Sequence, residues 1–220
     1  MACDRGGVER REGVEVTELL VESGAVRGVR VADADDVLEA EAVVVAAGAW
    51  SGALAGLPDD ARVPVRPVKG QLLRLRDPEG PGLLSRNLRF DTAQRPGYLV
   101  PRGDGRYVLG ATVEERGFDT SVTAGAIHDL LHYAAEVVPG VLELELEEAR
   151  AGLRPGTPDN APLIGAGRLQ GLVWATGHYR NGILLVPLTA RAVAAVLAGD
   201  GLPDEATTAD PMRFAPVPAL

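Results

Sequence analysis

Two arginines and a tyrosine are the residues in this chain best suited to chemistry, and the task they suit is holding a carboxylate. Arg154 stands before "PGTPDNAPLIG", Arg180 lies in "GHYRNG" and Tyr98 in "GYLVPR". A planar guanidinium grips a carboxylate through two parallel N–H donors, and a phenol supplies one more. Pro155, Pro158 and Pro162 follow Arg154 and fix φ along the loop, which leaves that arginine few alternative settings. The plainer alternative is a strand exit with a surface arginine; convergence of the three side chains on one hollow decides between the two. The surroundings of Arg180 add a second property. In "ATGHYRNGILL" (175–185) a strand ends at Thr176, Gly177 opens a turn and Gly182 leads into a helix. The first amides of a helix lack intrahelical acceptors and carry partial positive charge, so this corner suits an anion or an electron-rich carbonyl. A plain strand-to-helix turn with glycines for geometry is the other reading.

The chain contains no set of side chains that could itself carry out catalysis. There is no G-x-S-x-G motif, and Cys3, the only cysteine, sits at the chain's start. His128, His132 and Glu136 recur at helical spacing on the solvent side of an apolar stripe, and with His178 the only other histidine they complete no metal shell. Neither a G-x-G-x-x-G fingerprint nor a phosphate-binding Walker loop occurs. Chemistry at the carboxylate site therefore has to come from a cofactor.

The elements that must position these residues follow from periodicity. Residues 14–47 alternate valines around Gly24 and form four short strands. The last, 43–47, is a continuous apolar run ending at Gly48, as in a parallel strand buried on both faces at the centre of an α/β sheet. From residue 62 the pattern changes to antiparallel. "RVPVRPVKGQLLRLRD" is a long strand solvated on one side, and "GYLVPRGDGRYVLGATVEE" a hairpin turning at Gly103-Asp104-Gly105. Residues 120–140 form a helix capped by Ser121 or Thr123 and ended by Pro139-Gly140, burying Ile127, Leu130, Leu131, Ala134 and Val138. "LELELEEARAGL" returns as a strand into Arg154. Residues 172–200 then resume strand, glycine turn and long helix. The expected fold is thus α/β plus antiparallel α+β. Residues 1–60 and 156–200 form one domain, 61–155 an inserted, mostly antiparallel domain with a covering helix, and 201–220 a frayed tail.

Composition narrows the setting. The 220 residues are 46% hydrophobic and 24% charged, enough for a core of one or two domains. A net charge of −9 disfavours nucleic acid or an anionic membrane as partner. A single cysteine permits no internal disulfide. The charged start and the interruption of the most apolar run by Pro187 and Arg191 suit a soluble, cytoplasmic protein.

Taken together, "VVVAAGAWS" (43–51), "VKGQ" (68–71), "GYLVPRGDGRYVLGATVEE" (97–115), "AGLRPGTPDNAPLIG" (151–165) and "ATGHYRNGILLVPLTA" (175–190) resemble the FAD-dependent D-amino acid oxidase family, with the glycine oxidases of thiamine biosynthesis as the nearest branch. The resemblance runs from about residue 8 to about residue 199. It implies a partial FAD-binding domain of the glutathione reductase-like kind with an inserted substrate domain. It implies that Arg154 and Arg180 hold the substrate carboxylate and that Tyr98 closes on the substrate. His178, Tyr179, Arg180, Asn181, Gly182, Ile183 and Leu184 then run along the flavin, Val14 pairs with the adenine and Gly48 ends a strand beside the cofactor. The implied reaction converts glycine or a similar small amino acid or amine to an oxo acid and ammonia, with dioxygen reduced to hydrogen peroxide. Sarcosine oxidase-like and D-amino acid dehydrogenase-like enzymes share the pattern, and homo-oligomers are possible. The family's opening strand–G-x-G-x-x-G–helix unit is missing from this sequence. That leads to the further expectations of an exposed sheet edge near residues 14–48 and of weak FAD binding by this chain alone, or else of an inactive remnant that serves as an interaction module.

Overall fold

The structure is a computed structural model and describes residues 6–32, 37–92 and 95–215. In chain order it forms β1 (Val16–Glu22), β2 (Ala25–Val31), β3 (Val37–Glu39) and β4 (Val43–Val45), then β5 (Arg66–Arg76), β6 (Leu88–Thr92), β7 (Arg95–Pro101) and β8 (Arg106–Gly110). Helix α1 (Ala124–Val137) precedes β9 (Glu145–Gly156), β10 (Leu163–Ala166), β11 (Leu172–Thr176) and α2 (Val186–Ala198). Contacts divide the chain into two units, one being Arg66–Gly156 and the other the described residues on either side of it.

The outer unit has two three-stranded sheets. β1, β2 and β3 form an antiparallel meander whose first turn uses left-handed Ser23 and Gly24. In the second sheet, of order β10-β11-β4, β11 runs antiparallel to β10 and parallel to β4. Leu19, Val26, Val45, Leu163, Leu172 and Trp174 pack together between the sheets. The parallel pairing expected of the valine run is present, but the strand is three residues long and lies at the edge of its sheet, so only one face is covered. Val45 is buried whereas Val44 is 37% exposed. Helix α2 has Pro187 in its first turn, where a missing N–H costs nothing, and ends at left-handed Gly199, with the Asp200 amide donating back to the Ala195 carbonyl. The described part of the segment after it, residues 201–215, is packed against the unit. Residues 204–209 and 211–213 form 3₁₀ turns, and Ala206 and Ala209 pack with Ile164 and Ala192. Small side chains bring this backbone close to α2 and β10, a contact that composition alone did not reveal.

The inner unit, Arg66–Gly156, is one antiparallel sheet of order β6-β7-β8-β5-β9 with α1 on one face. Leu73, Leu75, Leu99, Tyr107 and Leu109 point into the helix, meeting Ala134 directly and Ile127, Leu130 and Leu131 at the margin. The hairpin of β7 and β8 turns through Gly103 and Gly105, both left-handed. Of the two candidate caps, Thr123 is the one used, its hydroxyl accepting from the Ala126 amide at 3.3 Å. α1 gives way to a 3₁₀ turn over Pro139–Glu143, so β9 starts at Glu145 rather than Leu142.

The long strand β5 departs from simple alternation. Arg74 and Arg76 are exposed as expected, yet Val68, Lys69, Gly70 and Gln71 are all buried. Residues 112–123 fold back over this end. Lys69 Nζ meets Asp119 at 2.9 Å and Ser121 at 3.4 Å. Gln71 donates to Glu114 at 2.8 Å and accepts from the Thr123 amide at 2.9 Å. A buried ammonium is tolerated only when paired in this way. Thr123 thus caps the helix and anchors the loop together. Replacing it with alanine removes the cap and should lower the stability of the chain by about 1 kcal/mol. Urea unfolding of the variant, followed by circular dichroism, checks this.

Candidate active site

Strand register places Arg154 and Tyr98 on one face of the inner sheet, opposite α1. Tyr98 lies across from Gly110, Gly110 from Leu72, and Arg154 from Val68. Because side chains alternate, Tyr98, Gly110, Leu72, Gly70, Val68, Arg154 and Gly152 all face the same way. The two polar side chains then lean towards each other over glycines. A Cβ on Gly110 would fall inside the Tyr98 ring, and one on Gly70 inside the Arg154 guanidinium. Gly110 and Gly70 are diagonal neighbours on adjacent strands, about 7–8 Å apart. The phenol lies over Gly110 and the guanidinium over Gly70, so both polar groups are presented on one face of the sheet. Above Gly152, the third glycine on this face, there is open space among the described residues. Arg154 Nη1 donates to the carbonyls of Thr112 at 3.1 Å and Lys69 at 3.4 Å, which fixes the plane of the fork. Arg154 is part of β9 itself and precedes its last two residues, so its setting comes from the sheet more than from the prolines beyond it.

The second group of candidates is in the outer unit, at the carboxyl ends of the parallel strands β4 and β11. Gly48 follows β4 with φ 55 and nothing where a Cβ would lie; Gly177 follows β11 with φ 74. A buried hydroxyl chain ties the two corners together. Ser51 Oγ donates to Thr176 Oγ1 at 2.8 Å, and Thr176 donates to the Gly48 carbonyl at 3.0 Å. The carboxyl ends of parallel strands are where α/β sheets take ligands. Glycine backbone at one corner and a turn running into a helix at the other are the features that a flat, anionic or electron-rich group needs there. The residues present thus fit the cofactor that the sequence implied.

The turn differs from expectation in two respects. Tyr179, with φ 50, takes the left-handed conformation, while Gly182 does not need its freedom, since a Cβ there would make only an ordinary contact. Helix α2 begins at Val186, so 178–184 precede its first turn instead of forming it. The Asn181 amide bonds the His178 carbonyl and the Leu185 amide bonds the Asn181 carbonyl, giving a compact, non-helical approach. Ile183 and Leu184 are 94% and 77% exposed. Arg180 is exposed and lies across the Tyr179 ring at 5.1 Å. Val14 is exposed and comes two residues before β1. His128 and His132 stack on each other on α1 and pair with Asp129 and Glu136.

His178 is half-buried. Its Nε2 lies 2.9 Å from the Thr189 hydroxyl, which is also 2.9 Å from the Leu185 carbonyl, so ring, hydroxyl and carbonyl form one hydrogen-bonded row. Burial pushes the His178 pKa below its usual 6.5, which favours the neutral ring.

Periodicity did not point to Ser51, Thr176 or the floor glycines Gly70 and Gly110. Motif "VKGQ" held one of these glycines, but only register could show what lay over it.

The chain belongs to the FAD dependent oxidoreductase family DAO, whose match covers residues 1–196. It is 40% identical over 194 residues to the bifunctional protein ThiO/ThiG of Trichormus variabilis, covering 88% of this chain and 28% of that one. It is 37% identical over 198 residues to the glycine oxidase of Pseudomonas putida, covering 87% and 50%. The crystal structure of glycine oxidase from Geobacillus kaustophilus superposes with a TM-score of 0.81 at 34% identity, covering 97% of this chain and 55% of that one. The chain thus spans about half the length, or less, of the relatives it matches. FAD is the family's cofactor. No helix among the described residues is long and apolar enough to cross a membrane.

Because His178 is harder to protonate folded than unfolded, its neutral form adds stability that is complete above pH 6.5 and is lost as the pH falls below it. Its ring protons in an NMR titration should report a midpoint below 6.5, and Thr189→Val should move that midpoint.

Proposed function

We propose that this chain supplies the substrate and flavin contacts of an FAD-dependent oxidase of glycine or a similarly small amino acid or amine, yielding the oxo acid, ammonia and hydrogen peroxide. The observation that carries this is the placement of the Tyr98 phenol and the Arg154 guanidinium on one face of the inner sheet, over the diagonal neighbours Gly110 and Gly70. Arg154 binds the substrate carboxylate through its fork and Tyr98 donates its hydroxyl, while the family resemblance assigns Arg180 to the substrate as well. FAD, when bound, supplies the acceptor for the hydride leaving the α-carbon. The protein's own contribution is alignment. A fork held in one plane by two backbone carbonyls presents the substrate in a single orientation, and no protein base is required once the amine is neutral.

Residues 178–184 lie along the flavin in this reading, with Gly48 beside it and Val14 at its adenine. Their backbone at the approach to a helix favours negative charge developing on the flavin's pyrimidine end. Likeness to ThiO/ThiG and to glycine oxidases supports the choice of substrate and a role in thiamine biosynthesis. Dioxygen is the second substrate, and the setting is cytoplasmic.

Arg154→Lys keeps the charge but loses the two-pronged geometry, so KM for glycine in the FAD-loaded protein should rise about 10–100-fold, with FAD affinity unchanged. Gly70→Ala, by pushing a methyl into the guanidinium, should act in the same direction. Peroxide release measured separately with glycine, sarcosine and D-alanine fixes the substrate. Loss of FAD binding with KM unaltered in Arg154→Lys would remove the carboxylate assignment.

A further inference from the structure

Arg213 is the most fully engaged side chain in the outer unit, and no step considered so far uses it. All five of its N–H donors are committed. Nε and Nη2 form a fork onto Asp159 at 2.9 and 3.0 Å, Nη2 also donates to the Ala161 carbonyl at 2.9 Å, and Nη1 donates to Pro162 at 2.9 Å and Asp210 at 3.0 Å. The Phe214 ring stacks against its guanidinium at 4.5 Å. Docking a chain end needs only apolar contact. A guanidinium aimed at one carboxylate and two carbonyls of a single loop sets the shape of that loop.

The loop is 157–162, the proline-rich stretch after Arg154, and its other side supports the flavin turn. Asp159 Oδ1 accepts from the Ala161 amide at 3.0 Å, and the one hydroxyl hydrogen of Thr157 is shared between the Ala161 carbonyl at 2.8 Å and Asp159 Oδ1 at 3.0 Å. Thr157 is fully buried, with its methyl against Gly177: a Cβ on that glycine would lie 2.7 Å from Thr157 Cγ2 and 3.3 Å from the Leu163 nitrogen. The turn can start at Gly177 only where this methyl allows.

We propose that Arg213 is a positioning residue for the turn at 177–185, acting through Asp159 and Thr157 to set where the flavin-facing backbone lies. The inference rests on the reading of that turn as a flavin contact. The Arg213 guanidinium also holds the Asp159 carboxyl well below the usual carboxylate range, so the pair stays ionised throughout the neutral region. The role of the rigid "PGTPDNAP" segment then divides in two: β9 orients Arg154, while the loop beyond it transmits the grip of Arg213 to the cofactor corner.

Hydrogen exchange on the full chain, without flavin, tests the mechanical claim. Arg213→Lys and Asp159→Asn each break the fork without removing the packing beneath it. In both, the Asn181 and Leu185 amides should exchange about tenfold faster or more, the factor expected for one lost charge-assisted hydrogen bond. Amides of β1 and β2, such as Val29, and of β8, such as Leu109, should keep their wild-type rates. FAD titration should show the same variants weakened for flavin while glycine binding at Arg154, followed by NMR, is unchanged. Unaltered exchange at Asn181 and Leu185, or equal acceleration at Val29, would overturn the proposal. Wild-type chain that takes up no FAD, yet shows the local exchange effect, would instead count against the flavin reading alone and leave the mechanical link standing.

Discussion

The register of β5 against its two neighbours is the constraint on which the candidate chemistry depends. Leu72 opposite Gly110 and Val68 opposite Arg154 put Arg154, Tyr98 and the glycines beneath them on one face of the inner sheet. A slip of one residue would send Arg154 and Tyr98 to opposite sides. Two features hold the register. On the helix side, Leu73, Leu75, Leu99 and Leu109 lock into α1. At the far end, Lys69 and Gln71 are buried under the loop at 112–123 and hydrogen-bonded to it, so a shift would leave an ammonium and an amide buried without partners. The polar groups specify the pairing that the leucines stabilise.

Glycine works here chiefly by leaving room. Neither Gly70 nor Gly110 has a positive φ, and what they lack is a Cβ where a guanidinium and a phenol must lie. This lets long side chains cross a strand instead of standing upright on it. A side chain held across a strand, with its plane set by backbone carbonyls, loses few further rotamers on binding, which favours a small ligand that has few contacts to offer.

In the outer unit the same economy holds two glycine corners together. Ser51, Thr176 and the Gly48 carbonyl form one buried chain across the parallel pair, so the ends of β4 and β11 are fixed relative to each other. The corner after β11 is held from a second side by Thr157. His178, hydrogen-bonded to Thr189 and held towards its neutral form by burial, ties its outgoing end to α2. Local strain at Tyr179 persists because these contacts over-determine its conformation.

Composition, periodicity and turn residues were sufficient for the alternation of α/β and antiparallel segments, for the hairpin at Gly103-Asp104-Gly105 and for the amphipathic helix now seen at Ala124–Val137, because those signals are local. The motifs also singled out Arg154, Arg180 and Tyr98, since residue type limits chemistry. Burial that comes from distant segments was not legible: residues 112–123 cover Val68 to Gln71, and Arg213 ties the described part of the last segment to Asp159. Which glycines matter, which residue caps the helix, where α2 begins and how Arg154 and Tyr98 lean together were decided by the tertiary structure alone. Each of these depends on which atoms meet across strands and loops far apart in the chain, and a one-dimensional pattern of residue types does not contain that information.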